Sequence, residues 1–198
     1  MITIWRFSFA LSLVLVLFGC GSDAAKFKST DITGADFGKG FALTGHDGRP
    51  RTLADFHGKI VVLNFGFTNC PDVCPTTLAD LARAVRKLGA DADRVQVLFI
   101  TLDPERDSQK VLAEYLPAFD PGFLGLYGDA EAIERTAKEF KVYFEKRPGK
   151  AHGHGAYTVE HSAQNYVFDA QGRLRLFVRH DRIGEDLAED LRTLLRQG

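Results

Sequence analysis

Cysteine is scarce, with three in 198 residues. That is too few to staple a disulfide scaffold, so each thiol needs its own account. Charge of one sign is missing as well: 25 basic and 26 acidic side chains leave a net of −1. With no basic stripe, this balance excludes a nucleic-acid binder that works by neutralising phosphates. The sequence also has no apolar run of membrane-spanning length. Its extended candidate, Phe7 to Phe18, would rise about 18 Å as a helix against a hydrocarbon core of about 30 Å. Internal repeats and low-complexity blocks are absent. What is present is ordinary globular composition, 45% hydrophobic and 26% charged, enough for one domain with a sizeable core.

The apolar run belongs to a targeting segment. Arg6 supplies a positive start, Phe7 to Phe18 an apolar centre, and Gly19-Cys20 follows at once before the polar Gly21-Ser22-Asp23. Leu17-Phe18-Gly19-Cys20 resembles a bacterial lipobox, in which the cysteine is lipidated and becomes the first mature residue. The expected division is a lipoprotein-type signal over 1–19, a membrane-proximal tether over 20–36 and a folded domain over 37–198. A plain cleaved signal and an uncleaved anchor are the alternatives, and under each the domain leaves the cytoplasm. The expected location is the bacterial envelope, with the domain anchored by lipid and facing the periplasm or the outer side. Gly21 after Cys20 leaves open which membrane holds it.

Strands and helices then alternate. Phe41 to Leu43 and the turn His46-Asp47-Gly48 predict an opening hairpin, and Ile60 to Phe67 and Val95 to Thr101 predict strands covered on both faces. Leu78, Leu81, Ala82, Val85 and Leu88 recur at helical spacing, and Asp107–Leu116 and Ala130–Phe140 read as further helices. Asn165–Phe168 and Leu174–Val178 flank the turn Asp169-Ala170-Gln171-Gly172, and Leu187, Leu191, Leu194 and Leu195 mark a last amphipathic helix. The expected fold is α/β, a mixed sheet flanked by helices in the thioredoxin-like arrangement, with an added N-terminal β-hairpin. Such a fold carries no function by itself.

The chemistry concentrates in Asn69-Cys70-Pro71-Asp72-Val73-Cys74-Pro75, between the first buried strand and its helix. Residues i and i+4 share a helical face, so both sulfurs can point to one spot. Pro75 suits a first helical turn, and the positive end of the helix favours thiolate. Two soft thiolates seat Cu(I), or oxidise to a disulfide; the bland alternatives are a structural disulfide or two small buried residues. Zinc would need a second pair of ligands at close spacing, and no other cysteine pair exists. The candidate third donor is His161, within Glu160-His161-Ser162-Ala163; the bland alternative is a surface or satisfied core histidine. In a thioredoxin-like sheet this loop rises beside the first helix's N-terminus. Thioredoxins carry a cis-proline there, whereas the last proline here is Pro148.

Smaller features are read conservatively. His152-Gly153-His154 is a solvated flexible loop or a metal-scavenging clip, Asp72 adds negative charge to a first helical turn, and Asp103-Pro104 ends a strand in a turn. Glu185 to Asp190 is a solvated helix face, and His57 and His180 receive no role.

Four stretches together carry a resemblance. They are Asp55–Lys59, Asn64–Pro75 with its two cysteines, Thr101-Leu102-Asp103-Pro104-Glu105-Arg106-Asp107 and Glu160–Ala163. In this order they resemble the Sco/SenC family of copper proteins linked to cytochrome c oxidase assembly. The resemblance implies a thioredoxin-like fold and one copper ion, Cu(I) or Cu(II), held by Cys70, Cys74 and His161. It implies a metallochaperone for the copper A subunit of the oxidase, with other periplasmic copper or thiol-redox proteins as further partners and no nucleic acid. A thiol–disulfide oxidoreductase that cycles Cys70 and Cys74 and reduces the client's cysteines is the alternative. His161 separates the two, since metal binding needs it and dithiol exchange does not. A peroxidase of related fold, an electron carrier and a copper sensor are weaker options.

Overall fold

The computed structural model describes residues 26–148 and 157–198. The leader with Cys20, the first residues of the expected tether, and His152 with His154 lie outside the described residues.

The fold is built around two strands, β1 (Thr30–Asp31) apart, that the sequence marks most strongly. After the opening hairpin of β2 (Ala42–Gly45) and β3 (Pro50–Thr52) comes β4 (Ile60–Gly66), in which all seven residues are buried. Alternate side chains of β4 serve opposite faces: Ile60 and Val62 enter one core cluster, and Val61, Leu63 and Phe65 the other. A strand covered on both faces reads as a continuous apolar run because neither face is left to water. From its end the chain enters α1 (Val73–Arg86), then β5 (Val95–Thr101), which runs parallel to β4. The segment continues through α2 (Gln109–Tyr115), β6 (Leu124–Tyr127) and α3 (Ala130–Glu139). A second hairpin of β7 (Phe144–Pro148) and β8 (Tyr157–His161) precedes β9 (Gln164–Phe168), β10 (Leu174–Arg179) and α4 (Ala188–Gln197).

Eight strands form one mixed sheet in the order β1-β10-β9-β4-β5-β6-β2-β3, while β7 and β8 pair only with each other. Helices α1 and α4 cover one face through Leu78, Leu81, Val85, Leu191 and Leu194; α3 covers the other through Ile133 and Ala137. This is the predicted α/β arrangement with its N-terminal hairpin. Among the described residues no helix is long and apolar enough to cross a membrane.

Three expectations need correction. The tether does not extend to residue 36: Thr30 and Asp31 pair with Phe177 and Leu176 of β10. The backbone N–H groups of Lys28 and Ser29 donate to the two oxygens of Asp190 at 2.7 and 2.9 Å. The supposedly solvated face over 185–190 is therefore partly interior, with Asp190 1% and Asp186 7% exposed. Charge in the sequence suggested water, but these carboxylates are satisfied by backbone amides and by Arg182. Finally, β6 and the β7–β8 hairpin were not foreseen. Strand β7 reads Phe-Glu-Lys-Arg-Pro and is mostly exposed, so it lacks the apolar alternation that marks a strand.

Candidate metal centre

The site begins where β4 stops. Phe67 follows Gly66, and the chain turns as the Cys70 N–H donates to the Phe67 carbonyl at 3.3 Å. Cys70 thus lies in the turn ahead of α1, not on the helix, so the two sulfurs do not converge through a shared helical face. They converge through a cap. The Cys74 N–H, one of the unpaired donors of the first helical turn, donates to the Cys70 sulfur at 3.4 Å. Pro75 contributes no N–H to that turn, and Asp72 offers no side-chain cap. A sulfur in the place of a capping oxygen sits at the positive end of the helix, where negative charge is favoured.

The two thiols are unlike. Cys70 is half-buried and Cys74 is 2% exposed. A hydrogen bond from the Cys74 thiol holds the Cys70 thiol far below its ordinary range, at about 4. Burial works against this, while the N–H groups of Asp72 and Cys74 assist it. The Cys74 thiol is pushed up by the same hydrogen bond, by burial and by repulsion from the Cys70 thiolate. The pair therefore keeps one proton, on Cys74, and one exposed negative charge, on Cys70.

Room for Cys74 is made by Gly66. A Cβ at that position would lie 2.9 Å from the Cys74 sulfur and 2.9 Å from a ring carbon of Phe99. The absent side chain lets the sulfur fold back over the strand end.

The imidazole arrives from the other side. His161 is the last residue of β8, and its Nε2 stands 3.6 Å from the Cys74 sulfur. Its Nδ1 lies 3.1 Å from the Ser162 carbonyl, which can only accept, so Nδ1 carries the proton and Nε2 presents its lone pair. That is the tautomer a metal ligand needs, fixed by a backbone partner. The Phe67 ring meets the imidazole edge-on at 5.9 Å between centroids.

A sulfur and a nitrogen bound to one ion at about 2.3 and 2.0 Å, at tetrahedral angles, stand roughly 3.5 Å apart. The observed 3.6 Å fits that spacing. Among the described residues no group of three or more His, Cys, Asp and Glu already forms a metal-holding cluster. Cys70 and His161 border an open cleft of about 260 Å³, lined also by Phe67, Pro71, Val73 and Val159. Soft thiolates with one imidazole suit Cu(I), and the same dithiol suits disulfide chemistry.

Of the three donors expected from the sequence, Cys74 meets both of the others, its N–H the Cys70 sulfur and its sulfur the His161 Nε2. Asp72 is exposed and supplies only its backbone to Cys70. The supporting residues were missed. Asp103 and Asp107, 0% and 1% exposed, are buried carboxylates, and neither is a turn residue alone. The signal available was their charge at the end of an otherwise apolar strand, because a buried carboxylate must have partners.

The family model described as SCO1/SenC matches residues 29–196. The mitochondrial SCO2 homolog of Mus musculus is 39% identical over 154 residues, covering 77% of this chain and 60% of that protein, so the chain spans under two thirds of its length. Copper-bound ScoI of Bradyrhizobium japonicum is 39% identical with a TM-score of 0.71, over 80% of this chain and 98% of that one. Apo Sco1 of Thermus thermophilus is 41% identical with a TM-score of 0.75, over 87% and 99%.

Proposed function

Since the chain belongs to the SCO1/SenC family, we propose that it is a copper metallochaperone. It holds one copper ion, as Cu(I) or Cu(II), on Cys70, Cys74 and His161 and passes it to the copper A subunit of a cytochrome c oxidase. The observation that carries this is the bare Nε2 of His161 facing the Cys74 sulfur at 3.6 Å, beside a Cys70 already ionised. Copper bound to the similar ScoI of Bradyrhizobium japonicum supports the cargo.

The domain works outside the cytoplasm, on a lipid attached to Cys20 after loss of residues 1–19, in the bacterial envelope. Its folded part starts near residue 28, where Asp190 grips the chain, so the leash is shorter than composition alone suggests.

A second activity is favoured by one observation, the inequality of the thiols. A half-buried thiolate beside a buried protonated thiol is the arrangement for reducing a disulfide. Cys70 would attack one client sulfur, and Cys74 would then break the mixed disulfide, leaving Cys70–Cys74 oxidised and the client reduced.

Anaerobic Cu(I) titration of the reduced full-length chain separates these activities. One equivalent should bind, Cys70→Ser and Cys74→Ser should each abolish tight binding, and His161→Ala should weaken it and speed exchange. Full stoichiometry in either cysteine variant, or none in the wild type, would remove the metal site.

A further inference from the structure

The loop from β5 to α2 reaches both halves of the site. Asp107 accepts from the Thr68 N–H at 3.0 Å and from the Thr68 hydroxyl at 2.5 Å, two residues before Cys70, and from the Thr101 hydroxyl at 2.6 Å. Asp103 and Arg106 face the other way. Arg106 donates through Nε to Asp103 and through Nη1 to the Tyr157 carbonyl at 3.0 Å, and its guanidinium lies 3.9 Å from the centre of the Tyr157 ring. The Tyr157 hydroxyl donates to Asp103 at 2.7 Å, and Lys146 of β7 pairs with Glu105 at 2.6 Å. Tyr157 opens the strand that His161 closes.

This matters because, among the described residues, β7 and β8 pair with no other strand. A lone two-stranded hairpin is marginal in water, so something outside the hairpin must set its position. Val159, Phe144 and Tyr157 pack it against the core, and the loop adds polar ties through the buried Asp103, while the equally buried Asp107 holds the cysteine turn. Buried charges with fixed partners hold geometry firmly, since separating them leaves an uncompensated ion.

We propose that Asp103, Arg106 and Tyr157 are positioning residues for His161, and that the β5–α2 loop sets the gap between imidazole and sulfurs by holding hairpin and cysteine turn at once. The assignment rests on the copper reading above. Through it the loop governs how readily the third donor leaves the ion.

The test uses the full-length chain. Tyr157→Phe keeps the ring under Arg106 and deletes the hydroxyl bond; Arg106→Met deletes the fork. Each should speed transfer of Cu(I) to bathocuproine disulfonate about tenfold, the size expected for one charge-assisted bond. The Cys70–Cys74 reduction potential should stay at the wild-type value. In a His161→Ala background the same substitutions should add nothing. In the copper-free protein, amides of 158–161 should exchange faster while those of 78–85 do not. Additive rates in the His161→Ala background, or unchanged amide exchange over 158–161, would overturn the proposal. A wild-type chain that binds no copper defeats the metallochaperone reading instead, and the exchange data still decide whether the loop holds the hairpin.

Discussion

The cysteine turn and the histidine hairpin meet at one sulfur–nitrogen contact, yet they hang from the molecule in different ways. The turn issues from β4, the most buried strand, and is sealed behind by Gly66, Phe99 and the first turn of α1. The hairpin stands outside the main sheet, mostly exposed along β7, and is joined to the body by Val159, Phe144 and Tyr157 on the core and by polar side chains just past the end of β5. A donor built into the core cannot move without disturbing packing, whereas a donor on a satellite can. On the copper reading proposed above, this contrast gives holding to the sulfurs, Cys74 above all, and letting go to the imidazole.

The contrast can be broken most severely at the ligands. Cys70→Ser or Cys74→Ser should remove tight copper binding altogether, while His161→Ala should leave weaker, faster-exchanging binding, both read by competition with a Cu(I) chelator. Equal loss in all three would mean that the halves do not divide the work.

A second large effect separates the two sulfurs. Because the Cys70 thiol is lowered to about 4, its alkylation rate should be flat from about pH 6 to 9 and fall only as the pH drops through that value. An ordinary thiol would lose about tenfold per unit below roughly 8.5. Within the folded domain, mass spectrometry should find the label on Cys70 and not on Cys74, which is buried and protonated.

Stability changes sharpen the comparison on a smaller scale. Gly66→Ala drives a methyl group into the Cys74 sulfur and Phe99, and should destabilise the fold by about 1–3 kcal/mol in urea. On the hairpin, Arg147→Ala removes only exposed pairs with Glu145 and Glu160 and should change stability by less than about 0.5 kcal/mol. A large effect at Arg147 would show the hairpin to be structural after all.

The same contrast explains what could be read from the chain alone. Strands β4 and β5 announce themselves because burial on both faces forces an unbroken apolar run. The cysteine pair was legible because thiols are rare and their spacing is local. The hairpin was not, since Glu145, Lys146 and Arg147 carry no periodic signal and its pairing with β8 spans a connection that local pattern cannot see. His161 was found only through the expected topology. Asp103, Arg106 and Tyr157 act across 54 residues of sequence in the Tyr157–Asp103 bond, and no spacing rule reaches that far. Asp190 was misjudged because a carboxylate that accepts two backbone amides looks, in sequence, like one that faces water.

One feature of the metal-free site has a thermodynamic echo. The two sulfurs keep a single hydrogen nucleus between them, resident on Cys74. On the copper reading proposed above, an ion seated on both sulfurs would have to evict it, and cargo uptake would be an exchange of metal for acid. Affinity then climbs about tenfold for each unit of alkalinity and slackens by the same factor toward acid, which makes local acidity a lever on delivery.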